Sequence, residues 1–132
     1  MSRENVTYLQ GVYEAYARGD IPSVLAAMEP NLEWDEPLAP DYPFRGVHRG
    51  PQGVANEVFG RFPTYFLEFE AVPEEFIDAG DRVIVLGEFQ GKGKASGKSF
   101  RAPFVHIATF RDGKWVRFQN YTDTGTIVAT LR

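Results

Sequence analysis

Four side chains carry the chemistry this sequence offers: Glu36, His106, Asn120 and Asp123. A carboxylate facing apolar surroundings has its charged form destabilised, which raises its pKa toward that of a base working near neutral pH. Glu36 fits that role, because it ends Leu32-Glu-Trp-Asp-Glu36, where Trp34 shares its face by the two-residue period of a strand. The plain alternative is a Glu36 that ends its strand in water. His106 interrupts the apolar run Phe104-Val-His-Ile-Ala-Thr-Phe110. Burying it without a partner costs roughly 1–3 kcal/mol. Asn120, a carboxylate or a ligand must therefore bond it, unless it is an ordinary core histidine satisfied by another protein group. Lining a pocket, it would donate to a carbonyl or act as an acid, with Asn120 polarising the same oxygen. Asp123 beside Tyr121 is either the cap of a last helical turn or a pocket acid. His48, between Arg45 and Arg49, reads as a surface residue.

The hairpin around Asp112-Gly113 decides whether His106 and Asn120 meet. With a two-residue loop His106 pairs opposite Gln119, and Asn120 points to the other face. A three-residue loop with Gly113 in the left-handed conformation forms a bulge and sets His106 opposite Phe118. The bulged register is favoured because it alone sorts the faces. Phe104, His106, Ala108, Val116, Phe118 and Asn120 then floor a pocket. Val105, Ile107, Thr109, Trp115, Arg117, Gln119 and Tyr121 form a mixed outer face, as in a protein interface.

The remaining elements follow from periodicity. Residues 3–18 predict a helix with Val6, Leu9, Tyr13 and Tyr16 on one stripe, capped by Ser2 and ended by Gly19. Asp20 caps a second short helix, stopped by Pro30. Residues 32–36 form a strand, and the proline-rich 37–50 an irregular rim loop. A third helix runs from Pro51 through Val54, Val58 and Phe62 to Pro63. Four long strands follow, over 66–78, 82–90, 99–110 and 114–121. The fold class is α+β, with helices on one face of a bent antiparallel sheet.

Composition narrows the partners. The 132 residues make one domain spanning 1–132, with 43% apolar and 24% charged residues. The net charge of −4 argues against nucleic acid, since phosphate binding needs a basic face. Without cysteine, and with two distant histidines, no metal site is expected. No apolar run approaches the roughly 20 residues that span a bilayer, and the polar start reads as cytoplasmic, without a signal-peptide core. The aromatic share of 14%, with eleven Phe, predicts a cavity walled by rings or a thick core.

Four stretches together resemble the nuclear transport factor 2-like superfamily, within it the SnoaL-like polyketide cyclases and ketosteroid isomerase relatives. They are Ala17-Arg-Gly-Asp20 with Val24 to Met28, Glu33-Trp-Asp-Glu-Pro37, Phe44-Arg-Gly-Val-His-Arg-Gly-Pro51, and the closing hairpin through Asp123. The resemblance implies a cone-shaped bent sheet wrapped around three helices from the N-terminal half, an apolar cavity, and a dimer through the outer sheet face. It places Glu36, before Pro37, at the isomerase base position. Val12 falls where the isomerases carry an oxyanion-hole tyrosine, and His106 where they carry an acid. A histidine of the cyclases matches His106, while their acid/base aspartate falls at Asn120.

The expected function is binding of a small apolar molecule in a cavity walled by Tyr13, Tyr16, Trp34, Phe59, Phe62, Phe104 and Phe118. The chemistry would be isomerase-, cyclase- or hydratase-type proton transfer on a carbonyl compound, without a cofactor. The alternative is a noncatalytic module for an apolar ligand. A homodimer through Val105, Ile107, Trp115 and Tyr121 is the expected assembly.

Overall fold

The computed structural model describes residues 2–132. Helix α1 spans Ser2–Ala17 and buries Leu9, Val12 and Tyr13. The proposed cap on the Ser2 side chain lies outside the described residues. Gly19, at φ +77°, closes α1: its N–H meets Tyr16 O while that of Asp20 meets Ala15 O. Asp20 then caps α2, Ile21–Ala26, accepting from the Ser23 amide and hydroxyl.

The strands are β1 (Met28–Glu36), β2 (Gly46–Arg49), β3 (Phe66–Ala79), β4 (Arg82–Gly93), β5 (Ser99–Arg111) and β6 (Lys114–Thr122). They form one curled sheet in the order β2-β1-β6-β5-β4-β3. Only β1 and β6 run parallel, so the all-antiparallel sheet expected is mixed at that one seam. Helix α3 (Gly50–Glu57), a 3-10 turn over Phe59–Arg61, α4 (Phe62–Tyr65) and α5 (Thr124–Val128) complete the chain. The concave face of the sheet and the helices enclose one core, from Leu9 and Val24 to Val85 and Ile127.

Three expectations need correction. Strand β1 begins at Met28 and runs through Pro30, because Pro at a strand start removes only one ladder donor. The rim loop holds β2, four residues paired to β1. The third helix ends at Glu57, and Pro63 sits inside α4 at an early position, where its missing N–H costs nothing.

The closing hairpin takes neither register expected. Its turn is the two-residue Asp112-Gly113 with both residues at positive φ, 53° and 75°, so Arg111 faces Lys114. A bulge then shifts the register between Phe110↔Trp115 and Thr109↔Arg117, leaving Val116 as the extra residue. Trp115 consequently turns inward and is 1% exposed, instead of joining the outer face. Beyond the bulge Phe118 and Asn120 point inward as well.

Candidate functional site

Three polar side chains lie in a row across adjacent strands on the concave face. His106 of β5 pairs directly with Asn120 of β6. Glu36 of β1 comes next to Asn120, one position beyond the pair Asp35↔Gln119. All three are nearly sealed from solvent, at 3%, 3% and 9% exposure.

Three donors hold the Glu36 carboxylate. Trp34 Nε1 donates to Oε2 at 2.7 Å; Asn120 Nδ2 at 2.9 Å and Tyr42 OH at 3.1 Å donate to Oε1. Burial nevertheless pushes the Glu36 carboxyl above the usual carboxylate range, held back by these hydrogen bonds and by nearby His48. Burial also keeps the Tyr42 hydroxyl protonated.

At the other end of the row, the Tyr13 hydroxyl of α1 lies 2.5 Å from His106 Nδ1. Phe104 stacks on the same imidazole, 3.8 Å between ring centres and 8° from parallel. Burial lowers the His106 pKa to about 3, with Asn120 pulling the other way, so the ring is neutral at physiological pH. Within the protein its Nε2 has no hydrogen-bond partner, nor has Asn120 Oδ1. A buried polar atom left wholly unpaired costs about 1–3 kcal/mol, so each of the two calls for a water or a ligand group.

Glu36, Asn120 and His106 all line one cavity of about 70 Å³ between sheet and helices. Its other walls are almost wholly apolar and include Tyr13, Tyr16, Trp34, Phe59, Phe62, Phe69 and Phe118. Trp34 and Phe118 pack with ring centres 4.2 Å apart and planes tilted by 31°, and Phe59 and Trp34 meet edge to face.

The model of the SnoaL-like domain matches residues 9–118. The chain belongs to the SnoaL-like domain family. An NTF2-like protein of unknown function from Burkholderia pseudomallei K96243 is 32% identical over 97% of both chains, with a TM-score of 0.88. An NTF2-like protein from Burkholderia thailandensis E264 is 27% identical over 97% of both, with a TM-score of 0.90. TerC, co-crystallized with polyporic acid, is 29% identical, covers 97% of this chain and 98% of its own, and has a TM-score of 0.88. No curated protein matches the chain.

The SnoaL-like cone separates the remaining sequence candidates. Asp123 is not in the cavity: it caps α5, accepting from the Thr126 amide at 3.2 Å and hydroxyl at 2.6 Å. Phe104 is buried but is not a cavity wall. Its ring lies over Gly87, where an added Cβ would come within 2.5 Å of it, so the missing side chain in β4 makes its berth. Asn120 turns its N–H toward Glu36 and its carbonyl oxygen away, the reverse of a group that would polarise a substrate carbonyl.

His48 is buried, not on the surface. Its Nδ1 lies 2.6 Å from Glu57 Oε1 and its Nε2 2.7 Å from Phe44 O, tying the rim loop to α3. Tyr42 escaped sequence reasoning because it stands among prolines in a loop without periodicity. The apolar cluster Tyr42-Pro-Phe44 was the available signal, since an exposed loop has little use for two large rings. Among the described residues no helix is long and apolar enough to cross a membrane.

Proposed function

We propose that the cavity takes up a small, largely apolar, uncharged carbonyl compound and moves a proton on it, with Glu36 as the base. The carrying observation is that a carboxylate of raised pKa and an unpartnered His106 Nε2 border the same apolar space. Glu36 would take a proton from the carbon next to the carbonyl. The electron pair released moves onto the carbonyl oxygen, where an N–H at His106 Nε2 stabilises it. Return of the proton from Glu36 to a different carbon completes an isomerisation. One of the two Glu36 Oε2 lone pairs remains open for that proton, since Trp34 is its sole donor. The ligand recorded with TerC supports small-molecule uptake by a fold of this kind.

The second reading, a binding module without turnover, draws on one specific fact. Three donors already satisfy Glu36 in the closed cavity, as in a purely structural carboxylate. Deuterium uptake from heavy water into small cyclic enones, followed by NMR, separates the two. The catalytic reading requires exchange that wild type accelerates and Glu36→Gln does not. Exchange at equal rates in both proteins would remove Glu36 as the base.

We also propose that the outer sheet face joins two copies of the chain. Val105 and Tyr121 face each other there, at 36% and 52% exposure. Asp35 Oδ1, on β1, is buried without a partner even though Oδ2 pairs with Arg117.

A further inference from the structure

We propose that this cavity selects its ligand by a neutral hydroxyl group, an alcohol, phenol or enol oxygen that bridges His106 Nε2 and Asn120 Oδ1. The proposal rests on the reading of the cavity as a ligand site and specifies what that ligand must present.

Hydrogen-bond accounting leads to it. We assign the Tyr13 hydroxyl proton to its contact with His106 Nδ1, which makes Nδ1 the acceptor. The neutral ring then carries its own proton on Nε2, an N–H donor without an acceptor. Asn120 spends an N–H on Glu36 Oε1, which leaves Oδ1 as an acceptor without a donor. The two residues are direct cross-strand partners, and Asn120 lies close enough to raise the basicity of His106. The two atoms are neighbours, but neither meets hydrogen-bond geometry with a partner within the protein. One donor and one acceptor, side by side on a cavity floor, are complemented by an atom that accepts and donates at once.

A hydroxyl oxygen does both. A ketone or ether oxygen satisfies Nε2–H but turns lone pairs toward Oδ1. A carboxylate or phenolate adds net charge against Oδ1 and near Glu36, in a space with no cationic side chain among its walls. An arylamine would serve Oδ1 and meet Nε2–H with its lone pair only by giving up conjugation, and an alkyl amine would have to shed its charge to enter. At about 70 Å³ the cavity is under half of the roughly 150 Å³ that holds benzene, so a substituted ring enters only as the aromatic walls give way. Phe59, Trp34 and Phe118 among its walls would receive the apolar body.

The consequence for the proposed reaction is a preference for the enol over the keto form of the same compound, since the enol alone pairs with both groups.

The test uses phenol, anisole, toluene and aniline, titrated into the full chain by calorimetry and by fluorescence of Trp34 and Trp115. Phenol should bind about tenfold tighter than toluene and anisole, the worth of roughly one to two net hydrogen bonds. The ordering is demanding, because a plain apolar cavity ranks poorly hydrated toluene above phenol. His106→Phe should abolish the preference, so that phenol binds no tighter than toluene in the variant. The wild-type series stands alone should that variant fail to fold. Toluene or anisole matching phenol would overturn the hydroxyl bridge and leave the cavity itself a binding site. Aniline exceeding phenol would overturn the assigned ring proton and the bridge with it. No binding by any of the four would remove both the bridge and the ligand-site reading.

Discussion

His106 and Asn120 stand directly opposite one another although the two-residue turn joining their strands would, unaided, set His106 against Gln119. The bulge at Val116 makes up the difference, and it does so where a large ring profits. On one side of it Trp115 points into the core; on the other Phe118 does, three residues away instead of two or four. Both rings wall the cavity. One inserted residue therefore places an indole, a phenyl and a carboxamide on the concave face together.

Glu36→Gln keeps the shape of the side chain but turns an acceptor into a donor against Trp34 Nε1, Asn120 Nδ2 or Tyr42 OH. The expected loss is about 1–2 kcal/mol in chemical denaturation, the cost of one unmade buried hydrogen bond. Proton exchange on a carbonyl substrate should fall by about a hundredfold or more. A variant as stable as wild type would show that Glu36 is not held as described.

Tyr42→Phe removes a donor from Glu36 Oε1 without changing the ring that seals the cavity. Since that hydrogen bond lowers the Glu36 pKa, the carboxyl should titrate at higher pH in the variant. Carboxyl carbon NMR through a pH series reads the shift directly, and a shift downward would contradict the geometry.

His106→Phe tests the buried neutral ring through acid stability. In the folded chain the ring titrates near 3, against an ordinary value of 6.5. Its neutrality thus favours folding above about pH 6.5, and that contribution is lost as the pH falls toward 3. The slope is at most about 1.4 kcal/mol per pH unit. Glu36, raised from its ordinary 4.5, works in the opposite sense: its contribution is complete below 4.5 and is lost as pH rises through its folded value. Subtracting variant from wild-type stability isolates His106, and the difference should grow from pH 4 to pH 6.5. A flat difference would mean the ring is not buried neutral.

Asp123→Ala should cost about 1 kcal/mol, the usual worth of an N-cap. Ligand affinity in the cavity should stay unchanged, because Asp123 caps α5 and is not among the cavity walls. An equal loss of affinity would restore it as a pocket acid.

Tyr121→Asp combined with Val105→Asp should convert a dimer into a chain of 14.9 kDa by light scattering, with the cavity intact. A wild-type protein already monomeric at micromolar concentration would end the outer-face proposal.

Much of this was legible in the residues themselves. Periodicity exposed α1, its Gly19 stop and Asp20 restart, and the four long strands, because burial of one face imposes a repeat that local sequence must carry. The inward side of Trp34, Glu36 and His106 followed from the same two-residue rule. The outcome for Trp115 did not, since a bulge breaks that rule at one residue and its position is set by what the opposite wall can pack. Tyr42 and His48 were likewise decided in three dimensions: each meets its partners only after the rim loop folds back over β1 and α3. The orientation of the Asn120 carboxamide is the clearest case. Its residue type permits either end to face the cavity, and only the arrival of Glu36 from a strand 84 residues earlier in sequence fixes the N–H on one side and leaves the oxygen open on the other.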